Sequence, residues 1–182
     1  MRKWNAVLSM GILALFLIHA IAGAFQLFGF IPGGSALMQA LAYAMVCLIF
    51  IHFVIGIKLT ADTFKALKKS GASYFKENKL FWIRRISGFA VMIFVLFHIM
   101  IFIGRNDGAY RLNLFEGIQL ASQLLLVLSV AVHVITNIKP LMLSIGAKSY
   151  RAFLTDVILV LSVLLLFMGV AFVIYYLRWN VF

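Results

Sequence analysis

Five long apolar runs limit what this chain can fold into. They extend roughly over Trp4 to Phe30, Leu37 to Ile57, Phe81 to Ile103, Gly117 to Ile138 and Leu154 to Leu177. At about 1.5 Å of rise per residue, each is long enough to cross a hydrocarbon core of about 30 Å as an α-helix. With 65% hydrophobic and 12% charged residues and a mean hydropathy of +1.10, the chain has too little polar surface for an ordinary water-soluble domain. It also lacks the segments of about ten residues, alternately apolar and polar, that build a membrane β-barrel. The expected fold is an all-α membrane protein with five transmembrane helices, residues 1–182 forming a single transmembrane domain. The first run opens Met1-Arg2-Lys3 like a signal peptide, but it is too long and has no clear small-residue cleavage site, so it reads as the first helix.

The charges give this architecture a direction. Lys and Arg number 16 against 5 Asp and Glu, a formal net charge of +11. In so apolar a chain this excess points to an anionic membrane surface or an anionic cofactor rather than to nucleic acid. All the basic residues except Arg105, Arg111 and Arg178 fall at the N-terminus, in the second connection with its helix ends, or in the fourth. The positive-inside rule then puts the N-terminus in the cytoplasm and the C-terminus outside. Trp4 and Trp82 at inner helix ends, and Tyr175, Tyr176 and Trp179 at the outer end of the fifth helix, fit interfacial aromatic belts. The connection from Leu59 to Leu80 mixes lysines with Phe64, Leu67, Tyr74 and Phe75. It reads either as an amphipathic stretch lying on anionic lipid or as a docking surface for a cytoplasmic partner.

Redox chemistry, if present, cannot rest on thiolates. Cys47 is the single cysteine, and both an intramolecular disulfide and a thiolate-held cluster need more than one. The histidines offer another route. His19, His52, His98 and His133 fall one in each of the first four helices, and an ionisable residue inside a membrane span is a functional hypothesis by default. His52 lies six residues before Lys58, and His133 six before Lys139, so each sits about 9 Å in from the cytoplasmic end of its helix. His98 lies six residues before Gly104, and His19 about ten before the outer end of its helix; these two define an outer level. Helices one and two repeat as helices three and four, with histidine spacings of 33 and 35 residues. A parallel repeat implies a pseudo-twofold axis along the membrane normal, which sets His19 against His98 and His52 against His133 across a four-helix bundle.

Two neutral imidazoles approaching from opposite sides are the axial ligands of a six-coordinate b-type haem, a centre suited to electron transfer because no position is left open for substrate. The sequence therefore predicts two haem b groups stacked across the membrane, with irons roughly 12 Å apart along the normal. Gly23 and Gly56, each one turn after a histidine, would let a porphyrin lie against the helix. Haem propionates are anions: Arg84, Arg85 and Lys139 are placed for the inner haem, Arg105 and Arg111 for the outer. Three other readings stand beside this one. The basic residues also serve topology alone, and the histidines could be buried residues bonded to a neighbouring carbonyl, Ser or Asn. A proton relay usually includes intramembrane carboxylates, whereas Asp62, Glu77, Asp107, Glu116 and Asp156 all map to loops or helix ends.

In its four histidines and their topology, and in the stretch Trp82-Ile83-Arg84-Arg85-Ile86-Ser87-Gly88-Phe89 leading ten residues on to His98, the chain resembles a known family. These are the five-helix, di-haem cytochrome b membrane anchors of succinate:quinone reductases and quinol:fumarate reductases. The resemblance covers essentially the whole chain. It implies that His19 and His98 hold the outer haem and His52 and His133 the inner one, in a bacterial cytoplasmic membrane. It further implies a cytoplasmic iron–sulfur subunit and flavoprotein as partners, and electron exchange with menaquinone or ubiquinone in the bilayer. This chain would then be a subunit of the oxidoreductase that binds neither flavin nor dicarboxylate. Some relatives carry a glutamate two residues before the fourth histidine and another on the outer side after helix one. Here Ala131 stands at the first place, and the connection from Gly29 to Ala36 has no acid. A quinone site must use other groups, with Gln26, Asn106, Asp107 and Glu116 as outer candidates and Ser87 and Arg84 as inner ones.

Two alternatives remain open at this point. One is a di-haem cytochrome b serving a different quinone-linked oxidoreductase, since the helices encode haems and not the partner's substrate. The other is a non-redox transporter or scaffold with core histidines. A transporter would be expected to show Pro-interrupted helices around a midplane site, yet the prolines, Pro32 and Pro140, both fall in expected connections.

Overall fold

A computed structural model of the chain describes residues 2–70, 79–103, 115–146 and 151–180. They form five α-helices: α1 (Arg2–Phe28), α2 (Ala36–Ser70), α3 (Lys79–Phe102), α4 (Gly117–Ser144) and α5 (Arg151–Asn180). All five are long and apolar enough to cross a membrane, and the architecture is that of a multi-pass all-α membrane protein. The surface has the corresponding polarity. Met100, Ile118 and Leu166 are each more than 70% exposed, while Ser87 and Gln123 are buried. Lipid is the solvent for such a surface, so apolar side chains lose nothing by facing outward and polar ones gain by pairing inside.

The α1–α2 turn shows how local chemistry sets the path. Gly29 has φ +78°, its N–H donates to the Gln26 carbonyl at 2.9 Å, and the Phe30 N–H donates to the Phe25 carbonyl at 3.0 Å. This is a complete Schellman ending, in which a left-handed residue after the last helical one turns the chain and satisfies two end carbonyls. The contact between Phe25 and Phe30, with ring centroids 6.1 Å apart, is the apolar clasp that accompanies it. From α5, Arg178 Nη1 donates to the Phe28 carbonyl at 2.8 Å, satisfying another open carbonyl at this end.

Two helix ends depart from the sequence expectation. α2 does not stop near Ile57 but runs on to Ser70, at about 1.5 Å per residue some 20 Å beyond a membrane-spanning length. The lysines after Lys58 mark where the helix leaves lipid, not where it ends: Leu59 to Leu67 contains no Gly or Pro to break it. Its first part is therefore a helical projection continuous with α2 rather than a separate stretch, and Asp62 lies within a helix, exposed. Phe64 on this projection packs on Trp82 of α3, ring centroids 5.5 Å apart. The remainder, including Tyr74, Phe75 and Glu77, lies outside the described residues.

The second departure is α4, which passes through Pro140 to Ser144. A proline inside a helix removes the hydrogen bond to the carbonyl four residues back and normally ends or kinks it. The carbonyl released here is that of Thr136, and Arg84 of α3 donates its Nε–H to it at 2.8 Å. A side chain from the neighbouring helix thus replaces the bond that Pro140 cannot make.

The helices do not close into an evenly packed bundle. α3 packs along α4, and α1 packs on α2; α5 lies against both α1 and α4 and joins the two pairs. α2 and α3 face each other with little backbone approach, bridged by rings such as Phe53 and Phe89, whose centroids are 5.3 Å apart. Between the two helix pairs lies a large cavity.

Candidate functional site

The cavity has a volume of about 1700 Å³, and all four histidines line it. They meet in two pairs. The His52 and His133 rings lie with centroids 6.3 Å apart and planes at 84°; those of His19 and His98 lie 5.9 Å apart at 79°. Three helices place one residue at each level: Ser9 and His19 on α1, Ser87 and His98 on α3, Gln123 and His133 on α4. Separations of ten or eleven residues correspond to about 15–16 Å of helical rise, so the two pairs occupy distinct depths. The His52/His133 pair is towards the helix ends that carry Lys3 and Lys79 and towards Lys58 of α2, and the His19/His98 pair is towards Arg178.

Hydrogen bonds define which ring nitrogen is available. Ser87 Oγ donates to the Arg84 carbonyl at 3.2 Å and lies 3.3 Å from His133 Nδ1. The Ser87 hydroxyl thus stands between a backbone carbonyl and His133 Nδ1. Ser9 repeats the arrangement, donating to the Asn5 carbonyl at 2.8 Å and facing His52 Nδ1 at 3.4 Å. At the other level Gln123 Nε2 donates to Ser122 Oγ at 3.0 Å, which directs the amide oxygen at His98 Nδ1, 2.8 Å away. At His98 the amide oxygen can only accept, so the ring donates from Nδ1; Ser87 and Ser9 meet His133 and His52 at the same nitrogen. His19 has no hydrogen-bond partner among the described residues. With ring centroids 6.3 and 5.9 Å apart, each pair can supply two ligands to one metal ion. Among the described residues no group of three or more His, Cys, Asp or Glu comes together.

Glycines shape the walls. A Cβ at Gly23 would meet nothing within 4 Å, and one at Gly56 only Arg85 Nη1 at 3.8 Å; both positions border the cavity. Gly88 is different: a Cβ there would stand 3.1 Å from His133 Cε1 and 3.4 Å from its Nδ1. This glycine makes room for the His133 ring itself.

The other residues singled out by sequence distribute as follows. Arg84 and Arg85 line the cavity beside His52 and His133, Arg85 with its guanidinium 5.0 Å from the Phe81 ring centroid. Lys139 is exposed and outside the cavity wall. Ser87 is buried against His133. Gln26 lines the opposite end of the cavity and donates weakly to the Pro32 carbonyl at 3.5 Å. Glu116 is exposed at the start of α4, where its N–H is satisfied by Gln119 Oε1 at 3.0 Å. Arg105, Asn106, Asp107 and Arg111 lie outside the described residues.

Sequence reasoning passed over Ser9, Gly88, Gln123 and the Arg84–Thr136–Pro140 connection. Only Gln123 carried a signal, since a glutamine in a membrane span is costly unless paired. No known protein family, no curated protein and no solved structure matches this chain.

Proposed function

We propose that this chain is a di-haem cytochrome b that anchors a quinone-linked oxidoreductase in the membrane and conducts electrons through it, as its resemblance to the succinate:quinone and quinol:fumarate reductase anchors implies. The observation that carries this reading is the spacing of the two imidazole pairs. In each pair the two rings would supply one nitrogen each to a single metal ion, and they are close enough to share it without being stacked on one another. The observed separations are 6.3 and 5.9 Å. A cavity of about 1700 Å³ also exceeds the roughly 300–1,000 Å³ of a site for one small ligand, as two large planar groups require. When bound, a bis-imidazole haem supplies one-electron transfer without an open coordination position.

The chain's own residues hold and poise these groups. His52 and His133 bind one, His19 and His98 the other. Gly23 and Gly56 leave wall area free for a flat macrocycle. Arg84 and Arg85 meet the propionates of the haem at the basic end; because Arg84 Nε is committed to Thr136, its two terminal nitrogens do so. By the distribution of Lys and Arg this end is cytoplasmic, and the resemblance implies a bacterial inner membrane. The exposed lysines of the α2 projection, Lys58, Lys65, Lys68 and Lys69, stand where an iron–sulfur subunit and its flavoprotein dock. Ser87 is occupied by His133, which makes Gln26 the stronger of these two residues for contact with menaquinone or ubiquinone.

The test is a reduced-minus-oxidised visible spectrum of the purified protein with haem quantitation, alongside the four His→Ala variants. Two b haems per chain are expected, with H19A and H98A each losing one centre and H52A and H133A each losing the other. A protein that stays colourless when expressed with haem available would refute the proposal.

A further inference from the structure

Gln123 is the fully buried polar side chain of α4, with 0% of its surface exposed, and the ligand reading above leaves it without a role of its own. An amide inside a membrane span is costly unless its hydrogen bonds are made, and here they are made in one direction. Ser122 Oγ donates to the Gln119 carbonyl at 2.7 Å and accepts from Gln123 Nε2 at 3.0 Å. That leaves Gln123 Oε1 as a fixed acceptor for His98 Nδ1–H at 2.8 Å. The serine contacts to His133 and His52, at 3.3 and 3.4 Å, are longer and come from hydroxyls already donating elsewhere.

Resting on the di-haem reading, we propose that Gln123 is a positioning residue that lowers the reduction potential of the centre held by His19 and His98. An acceptor on the Nδ1–H of a ligating imidazole fixes its tautomer and raises the basicity of Nε2. A more basic ligand favours the oxidised, more positive metal over the reduced one, and hydrogen bonding around the ligands is one of the levers by which a protein sets a haem potential. The low dielectric of the buried site strengthens the effect.

The experiment is a potentiometric titration of both centres in the purified holoprotein, assigned through the paired histidine variants, for wild type, Q123M and Q123E. Q123M keeps the length and removes the acceptor. At fixed ambient potential it is expected to raise the reduced-to-oxidised ratio of the His19/His98 centre by about two- to tenfold; tenfold is about 59 mV for one electron. The other centre should not move. Q123E keeps an acceptor oxygen and should leave the potential at or below wild type. Ser122→Ala, which frees the amide to rotate, should give a smaller rise and decides the matter should Q123M fail to retain haem. An unchanged potential, an equal shift at both centres, or the same rise in Q123M and Q123E would overturn the assignment. A wild-type protein without haem would instead overturn the electron-transfer reading on which it rests.

Discussion

Arg84 and Pro140 should be energetically coupled although they sit on different helices, and the coupling has a definite sign. Pro140 has no N–H, so the Thr136 carbonyl four residues earlier has no intrahelical donor. Arg84 Nε–H supplies one at 2.8 Å. A hydrogen bond with a charged partner contributes about 1.5–3 kcal/mol net, and an orphaned buried carbonyl costs about 1–3 kcal/mol. Arg84→Met, which keeps the aliphatic stem, is therefore expected to destabilise the protein by about 2 kcal/mol or more. In Pro140→Ala the alanine N–H returns to Thr136, and the same Arg84→Met change should cost at least about 1 kcal/mol less. The assay is a four-protein double-mutant cycle by thermal or denaturant unfolding in one detergent. Independent sites add within about 0.3–0.5 kcal/mol, so additivity within that margin would refute the replacement of the proline's bond by Arg84.

Three further outcomes are expected. Gly88→Val puts side-chain atoms where even a Cβ would be 3.1 Å from His133 Cε1, so it should abolish haem binding at His52/His133 and spare His19/His98; loss of both or neither in haem quantitation would contradict this. Gly29→Ala should cost more stability than Gly146→Ala in parallel melts. Both glycines have positive φ, at 78° and 85°, worth about 1–2 kcal/mol against an L side chain, but only at Gly29 would the new Cβ also meet Arg178 Nη1 at 2.8 Å. A periplasmic-activity reporter fused after Phe182 should be active and a cytoplasmic one silent; the reverse pattern would overturn the orientation drawn from the basic residues.

What could be read from the sequence divides along a physical line. Apolar runs of membrane-spanning length declare themselves because lipid admits few alternatives, so the five helices were expected. Their ends were not so plain: leaving the membrane does not oblige a helix to stop, and α2 continues through Lys58 to Ser70. Pro140 misled for a related reason. Its missing bond is a local fact of α4, but the replacement comes from Arg84, which lies 52 residues before Thr136 in the chain. The pairing of His19 with His98 and His52 with His133 was legible because depth and repeat symmetry are both functions of residue number. Their supporting partners were not. A serine such as Ser9 or Ser87 can satisfy its hydroxyl on its own helix, as both do, so nothing in the sequence shows that it also faces a histidine.

Those supporting contacts bear directly on what the histidines do. A buried histidine serving only to hold helices together gains most by using both ring nitrogens, since an unpaired acceptor in apolar surroundings is a cost. Here Ser9, Gln123 and Ser87 meet His52, His98 and His133 at Nδ1, which leaves Nε2 as the nitrogen these partners do not engage. On the proposed reading, an electron-pair acceptor shared between the two rings of a pair would engage both of them at once. A single pair would make a single centre. Two pairs at different depths in one cavity, about 15 Å of helix apart, would on the proposed di-haem reading make a path with a direction across the membrane.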